Sequence, residues 1–344
     1  DQNNDAIQAY LYCNTNHEEY YNPVLNYKST DNLIWFVQNL CNIFGKSYLL
    51  IASIFNLISS FGIIFLYSCL KKLRFRHNPY NYSLTLLIIL PSIFFWTATI
   101  SKDAICFTGL CLMIFYLNNN TKNIFLYFIP LLLILLSKPH IFIIVSGILL
   151  FLLFLRYKIS IYLKILFISL LSVPLYFLSI LILNYAGYFG LKFAGPVNKS
   201  ILSVRLDFFS NFKFYENFGV SFRNSEAYTN DILIIKLFNL FLIPKFSEIN
   251  NFVSLIAGTE TAILIILFLY FLILLTQKDY YSSNIIASQF SYLFIFLMII
   301  FYSLFIYNEG VFLRQRIFIY PFILYLFLDR LYFQKKISNE KKSY

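Results

Sequence analysis

The 344 residues are 59% hydrophobic and 12% charged, with a mean hydropathy of +0.70. Long apolar runs broken by short polar clusters are the pattern of a polytopic membrane protein and exclude an ordinary soluble core. The formal charge of +11 does not mark a nucleic-acid binder, because the basic residues fall between apolar runs, where the positive-inside rule accounts for them.

The chain opens on a polar stretch, Asp1 to Asp31, that carries Asp1, Asp5, Glu18 and Glu19 and reads as an exposed loop. A start at Asp1 without a methionine leads to the expectation of one more spanning helix ahead of it. Leu33 to Phe44 is short and amphipathic, suited to a helix lying at the membrane interface. Tyr48 to Cys69 is the first clear span, long enough for a hydrocarbon core of roughly 30 Å. It ends in Lys71, Lys72, Arg74 and Arg76, which fixes that end as cytoplasmic and puts residues 1–46 outside. His77 beside this cluster reads as cytoplasmic surface.

Tyr82 to Thr99 returns outward and delivers the turn PSIFFWTATISKD, Pro91 to Asp103. Trp96 has the amphipathic ring that settles at headgroup depth. Ser101 can cap the next helix, and Asp103 in its first turn suits the positive end of the helix dipole. Ala104 to Leu117 goes back in, and Ile124 to Ser137 rises again, short for a span, to Lys138-Pro139-His140. Pro139 predicts a helix break there. Ile141 to Leu155 descends to Arg156 and Lys158, and Ile161 to Tyr185 climbs out with Pro174 as a kink. Ala186 to Asn251 is the longest polar interval, with one surface-helix candidate at Ile232 to Leu242. Phe252 to Leu275 descends, Ile285 to Ile306 rises, and Ile317 to Leu328 descends to a tail with Arg330, Lys335, Lys336, Lys341 and Lys342.

The expected fold class is therefore all-α: one polytopic membrane domain over residues 1–344 with about nine transmembrane helices. Outer-face loops are expected at residues 1–46 and 186–251. On this count Asp1, Asp5, Lys102, Asp103, Lys138, His140, Glu309, Arg314 and Arg316 fall on the outer side at or near membrane ends. Ionisable groups near spans face wet cavities or snorkel. Arg314 and Arg316 run against the positive-inside trend, and their alternate spacing offers several donors to phosphate oxygens. Glu260, inside the outer half of a span, is expected to pack a helix or line a cavity. Five cysteines show no metal-ligand spacing, though Cys13 and Cys41 can pair if their side is oxidising.

The strings PSIFFWTATISKD, KPH at Lys138 to His140, and NEGVFLRQR at Asn308 to Arg316 resemble bacterial multi-spanning proteins of surface-polysaccharide assembly, the GT-C-type glycosyltransferases. The resemblance covers roughly residues 1–140 and 300–330. It implies a protein of the bacterial cytoplasmic membrane whose active site faces outward and takes sugar from a polyprenyl-phosphate carrier. It also implies that an acidic residue of the first outer loop acts as base, which falls on Asp1 or Asp5.

Such transfer needs a carboxylate to take the acceptor hydroxyl's proton and cations to stabilise the departing lipid phosphate. Asp5, Asp1 and Asp103 are the candidate acids. Arg314, Arg316, Lys138, His140 and Lys102 are the candidate phosphate ligands. No glycine loop for nucleotides appears and no cluster demands a metal, so a divalent cation is the one cofactor left open. The expected partners are the lipid-linked sugar donor, a glycan or glycolipid acceptor and the bilayer, with no nucleic acid. Two other readings are a polymerase joining lipid-linked repeat units, and a transporter or flippase of a lipid-linked anion.

Overall fold

The computed structural model describes residues 29–72, 90–156 (apart from 120, 122 and 124), 252–275, 284–305 and 314–342. All regular structure among them is helical. In chain order the helices are α1 (Ser29–Phe44), α2 (Tyr48–Lys72), α3 (Pro91–Thr97), α4 (Lys102–Asn118), α5 (Phe125–Ser137), α6 (Pro139–Arg156), α7 (Phe252–Leu275), α8 (Ile285–Phe305) and α9 (Tyr320–Lys342). A 3-10 turn, Arg316–Phe318, leads into α9. Two of the described helices, over Tyr48–Lys71 and Ile285–Tyr302, are long and apolar enough to cross a membrane. The expected spans Tyr82 to Thr99 and Ile161 to Tyr185 lie partly or wholly outside the described residues, as do the 186–251 loop and most of the 1–46 loop.

Helix α4 is the axis of the molecule. It is apolar on every side, and nearly all of its residues are buried, as expected of a helix surrounded by others. α2 and α5 press hardest on it, while α3, α8, α9 and the 3-10 turn complete its coat. Small residues set these crossings. A Cβ on Gly62 would meet the Thr108 Cα at 3.0 Å, and one on Gly109 would meet Ile134 Cγ1 at 2.9 Å and the Pro130 carbonyl at 3.1 Å. Both backbones therefore approach α4 or its partner as only glycine permits. At the first crossing the Thr108 hydroxyl reaches the carbonyls of Ala104 (2.9 Å) and, on α2, of Ile58 (2.8 Å).

The pairings fix relative directions. α2 and α4 run parallel, since Thr108 meets Ile58 near the middle and the Phe65 and Phe115 rings lie 5.4 Å apart further on. α8 and α9 run antiparallel, tied by Ser288 to Asp329 at 3.0 Å at one end and Tyr302 to Gln315 at the other. Asn284 joins two helix ends. Its Oδ1 accepts from the amides of Ile286 and Ala287 to cap α8, and its Nδ2 donates to the Leu117 carbonyl at 2.7 Å, the C-terminal end of α4. The bundle thus has two polar ends: one built on Asn118, Asn284, Ser288, Tyr325 and Asp329, the other on Asp103, Lys138, Arg314 and Arg316.

α1 packs Leu33, Ile34, Val37 and Cys41 against Ile51, Phe55, Ile100 and Ala104. It ends at Gly45, whose φ of 90° suits glycine after a helix and whose amide donates to the Cys41 carbonyl. Its other side exposes Trp35, Ile43 and Phe44, the amphipathic division expected of this segment. Outward-facing apolar stripes run along α2 (Leu50, Leu57, Phe61, Ile64) and α5 (Phe125, Phe128, Ile129, Leu132, Leu136).

Candidate functional site

The sequence around Asp103 builds its own platform. Pro91 sits in the first turn of α3, where its missing amide proton is harmless. The chain then bends, and Ser101 in extended conformation caps α4 by accepting from the Ala104 amide. Asp103 follows in the first turn of α4, as its position predicts. Its carboxylate, however, is occupied by more than the helix dipole. Lys138 Nζ lies 3.1 Å from Oδ1, and Arg314 donates from Nε to Oδ2.

The acid is sealed while its partners are not. The Asp103 side chain is 0% exposed, whereas those of Lys138 and Arg314 retain 12% and 14%. Asp103 lies just before the apolar stretch 104–117. Burial there pushes its pKa up, but the charges of Lys138 and Arg314 outweigh burial and hold it below the ordinary carboxylate value. It is therefore a stable anion between two cations, poorly suited to take a proton. Arg314 spends only Nε on Asp103. Its guanidinium also stands 6.0 Å from the Trp96 ring, and Lys138 Nζ lies 5.6 Å from the Phe318 ring, contacts within cation–π range.

Lys138 owes its place to the break that Pro139 imposes. α5 stops at Ser137 and α6 starts at Pro139, so Lys138 is the joint. Its amide donates to the Ile134 carbonyl at 2.7 Å, and its own carbonyl accepts from Ile141 and Phe142. These bonds close the last turn of α5 and open the first turn of α6, and the side chain is left beside the start of α4.

The other expected phosphate ligands divide. Lys102 is buried next to Asp103. His140 turns into the bundle and stacks on Phe301, centroids 5.2 Å apart and planes 9° from parallel; it is a buried neighbour of the cations and does not face outward with them. Arg314 and Arg316 do not form one clamp. They lie in helical and 3-10 backbone, where residues two apart project to nearly opposite sides. Arg314 reaches Asp103 while Arg316 Nη1 donates to Thr261 Oγ1 at 3.0 Å. Gln315 between them is held by the Tyr302 hydroxyl. Asp1, Asp5 and Glu309 lie outside the described residues.

One acid of this end was given no chemical role by the sequence reading. Glu260 on α7 accepts a hydrogen bond from the Ser92 hydroxyl of α3, and Arg316 and Tyr320 are its electrostatic neighbours. An acid within an apolar run was the signal that could have flagged it. Among the described residues no three His, Cys, Asp or Glu side chains stand close enough to hold a metal ion. Closest around Asp103 and Arg316 stand the described charged residues Lys102, Asp103, Lys138, Glu260, Arg314 and Arg316, four cations against two carboxylates. Two positive charges in excess suit an anion, and a phosphate monoester carries about −1.5 to −2 at neutral pH.

No protein-family model, no curated protein and no solved structure matches this chain.

Proposed function

We propose that the chain is a polytopic membrane glycosyltransferase. It moves sugar from a polyprenyl-phosphate carrier at the outer face of a bacterial cytoplasmic membrane, in cell-surface polysaccharide assembly. The observation that carries this reading is the Asp103 device. A sealed carboxylate aligns Arg314 through Nε and holds Lys138 beside it, while both cations keep partly exposed side chains. Transfer turns a phosphodiester of the carrier into a monoester, so negative charge grows on the phosphate as the sugar leaves. Fixed donors outside bulk water stabilise that growing charge selectively. In this role Asp103 is a positioning residue, and the proton of the acceptor hydroxyl goes to another acid.

Membrane residence is supported by the two long apolar helices and the exposed apolar stripes on α2 and α5. A polytopic path is supported by the parallel run of α2 and α4, because a connection between parallel neighbours has to recross the bundle. Orientation is supported by Cys41, which is disulfide-bonded and packs with Ile100 and Ala104 at the Asp103 end. Disulfides persist in oxidising compartments. The other described cysteines, Cys69, Cys106 and Cys111, form no disulfide.

A polymerase holding two lipid pyrophosphates would want two open arginines. Arg316 is 3% exposed and bound to Thr261, which favours one carrier phosphate and the transferase. A transporter site belongs near the bilayer midplane, whereas the described charges gather at the bundle ends. The test is the length of product formed by purified protein with lipid-linked glycans extracted from the producing cell. One added sugar supports the transferase, a ladder the polymerase, and no product with retained lipid binding the transporter.

A further inference from the structure

Resting on the transferase reading, we propose that Glu260 is the proton acceptor for the acceptor hydroxyl, and that Ser92, Glu260 and Tyr320 form the subsite for that sugar. Three observations converge on it. Glu260 is 1% exposed. Its Oε2 takes the Ser92 hydroxyl, while its Oε1 meets no donor in hydrogen-bonding geometry among the described residues, the Tyr320 hydroxyl being close enough to act on the carboxylate. A buried carboxylate oxygen left open is costly, and a substrate hydroxyl is the donor that satisfies it. Arg316, the neighbouring cation, is anchored to Thr261, the residue next to Glu260, so it stabilises the carboxylate from one side.

The subsite is adjacent to the phosphate site. Ser92 and Trp96 are four residues apart on α3, so they lie one above the other on one face, with Cβ atoms about 5–6 Å apart. Ser92 touches Glu260 while Trp96 stands against the Arg314 guanidinium. The two acids therefore sit on either side of a short helix face, each backed by its own arginine. Asp103 is held by two cations, Arg314 and Lys138, whereas the described hydrogen-bonding neighbours of Glu260 are the hydroxyls of Ser92 and Tyr320. A hydroxyl acceptor, an aromatic face and neighbouring hydroxyls are the chemistry that recognises a polyhydroxylated ring.

Glu260 takes the proton of the acceptor hydroxyl, whose oxygen forms the bond to the anomeric carbon of the donor sugar. The bond from that carbon to the carrier phosphate breaks, and the phosphate leaves with the electron pair toward Arg314 and Lys138. The products are the extended glycan and polyprenyl phosphate, with the proton on Glu260.

The experiment uses the full chain in lipid nanodiscs, with two readouts. Undecaprenyl phosphate binding is followed by tryptophan fluorescence. Polyprenyl phosphate release is measured with lipid-linked glycans extracted from the producing cell. Glu260→Gln is expected to bind undecaprenyl phosphate like the parent while release falls by about 10² to 10⁴. Glu260→Asp is expected to recover part of that loss, and Ser92→Thr to recover what Ser92→Ala loses. Parent-like release by Glu260→Gln overturns the proposal, as does equal loss of binding and release with no rescue by Asp. If Glu260→Gln does not fold, the Ser92 pair decides: equal release by Ala and Thr overturns it. A parent that binds undecaprenyl phosphate but releases none from the extract overturns the transferase reading and this inference with it, whereas a fully active Glu260→Gln overturns this inference alone.

Discussion

Asp103 and Lys138 meet at 3.1 Å where the first turn of α4 passes the joint between α5 and α6. The acid is fully buried, and the joint exists because Pro139 cannot continue α5. A local backbone break thus supplies the cation for a buried anion on another helix, and Arg314 arrives from the far end of the chain to complete the triad.

Removing the anion leaves two cations facing each other with little water. Breaking a buried pair of this kind costs about 3–5 kcal/mol. Asp103→Asn is expected to lower the melting temperature in detergent and weaken undecaprenyl phosphate binding together, since Arg314 loses its alignment. A variant that melts like the parent would show that the triad does not hold the bundle end together.

The same group sets a pH dependence. The folded pKa of Asp103 is depressed by Lys138 and Arg314. Its contribution is therefore fully present above the unfolded value of about 3.9 and is lost only as pH falls below that, through the folded value. Melting temperature should have no Asp103 component between about pH 5 and 7 and should fall on further acidification. The acid decline should be shallower in Asp103→Asn, which pH-resolved unfolding of the two proteins checks.

Arg314 and Arg316 are expected to respond differently to lysine. Arg314→Lys keeps the charge but loses the Nε bond to Asp103 together with the outward donors. Its undecaprenyl phosphate affinity should fall at least about tenfold, or ~1.4 kcal/mol. Arg316→Lys should bind the lipid within a few-fold of the parent. Equal losses in both would return the two arginines to a single clamp.

Gly109 and Gly147 give a packing test. An added methyl at Gly109 meets Ile134 and the Pro130 carbonyl at about 3 Å, whereas at Gly147 it meets nothing within 4 Å. Gly109→Ala should destabilise by about 1–3 kcal/mol through overpacking. Gly147→Ala should be neutral or stabilising, because alanine is the better helix former. Thermal unfolding of the two variants would refute the close α4–α5 crossing if they behaved alike.

Orientation is checked by labelling. Thr99 is exposed at the Asp103 end and Asn123 at the other. An impermeant thiol reagent should modify Thr99→Cys in intact cells and Asn123→Cys only after permeabilisation. The reverse pattern would put the Asp103 end on the cytoplasmic face and remove the transferase reading.

What the sequence determined by itself was local. The apolar runs, the cap at Ser101, the break at Pro139 and the amphipathic division of α1 follow from propensity and period. Those act over a few residues and do not need the rest of the chain. The sequence also placed Lys102, Asp103, Lys138, His140, Arg314 and Arg316 near the same ends of the runs, and the structure gathers them at one end of the bundle. Choice of partner was not legible. Arg314 and Asp103 are 211 residues apart, and Glu260 and Ser92 are 168 apart. Which of several nearby charges meet depends on how closely the helices approach and how each is rotated. Gly62 and Gly109 set the approach to α4. The helical turn at Arg314 to Phe318 sends the two arginines to opposite sides, although their spacing alone suggested a shared target. His140 was drawn as a ligand because it stands two residues after Lys138, yet two residues along a helix turn a side chain by about 200°, and that rotation carried it inward onto Phe301.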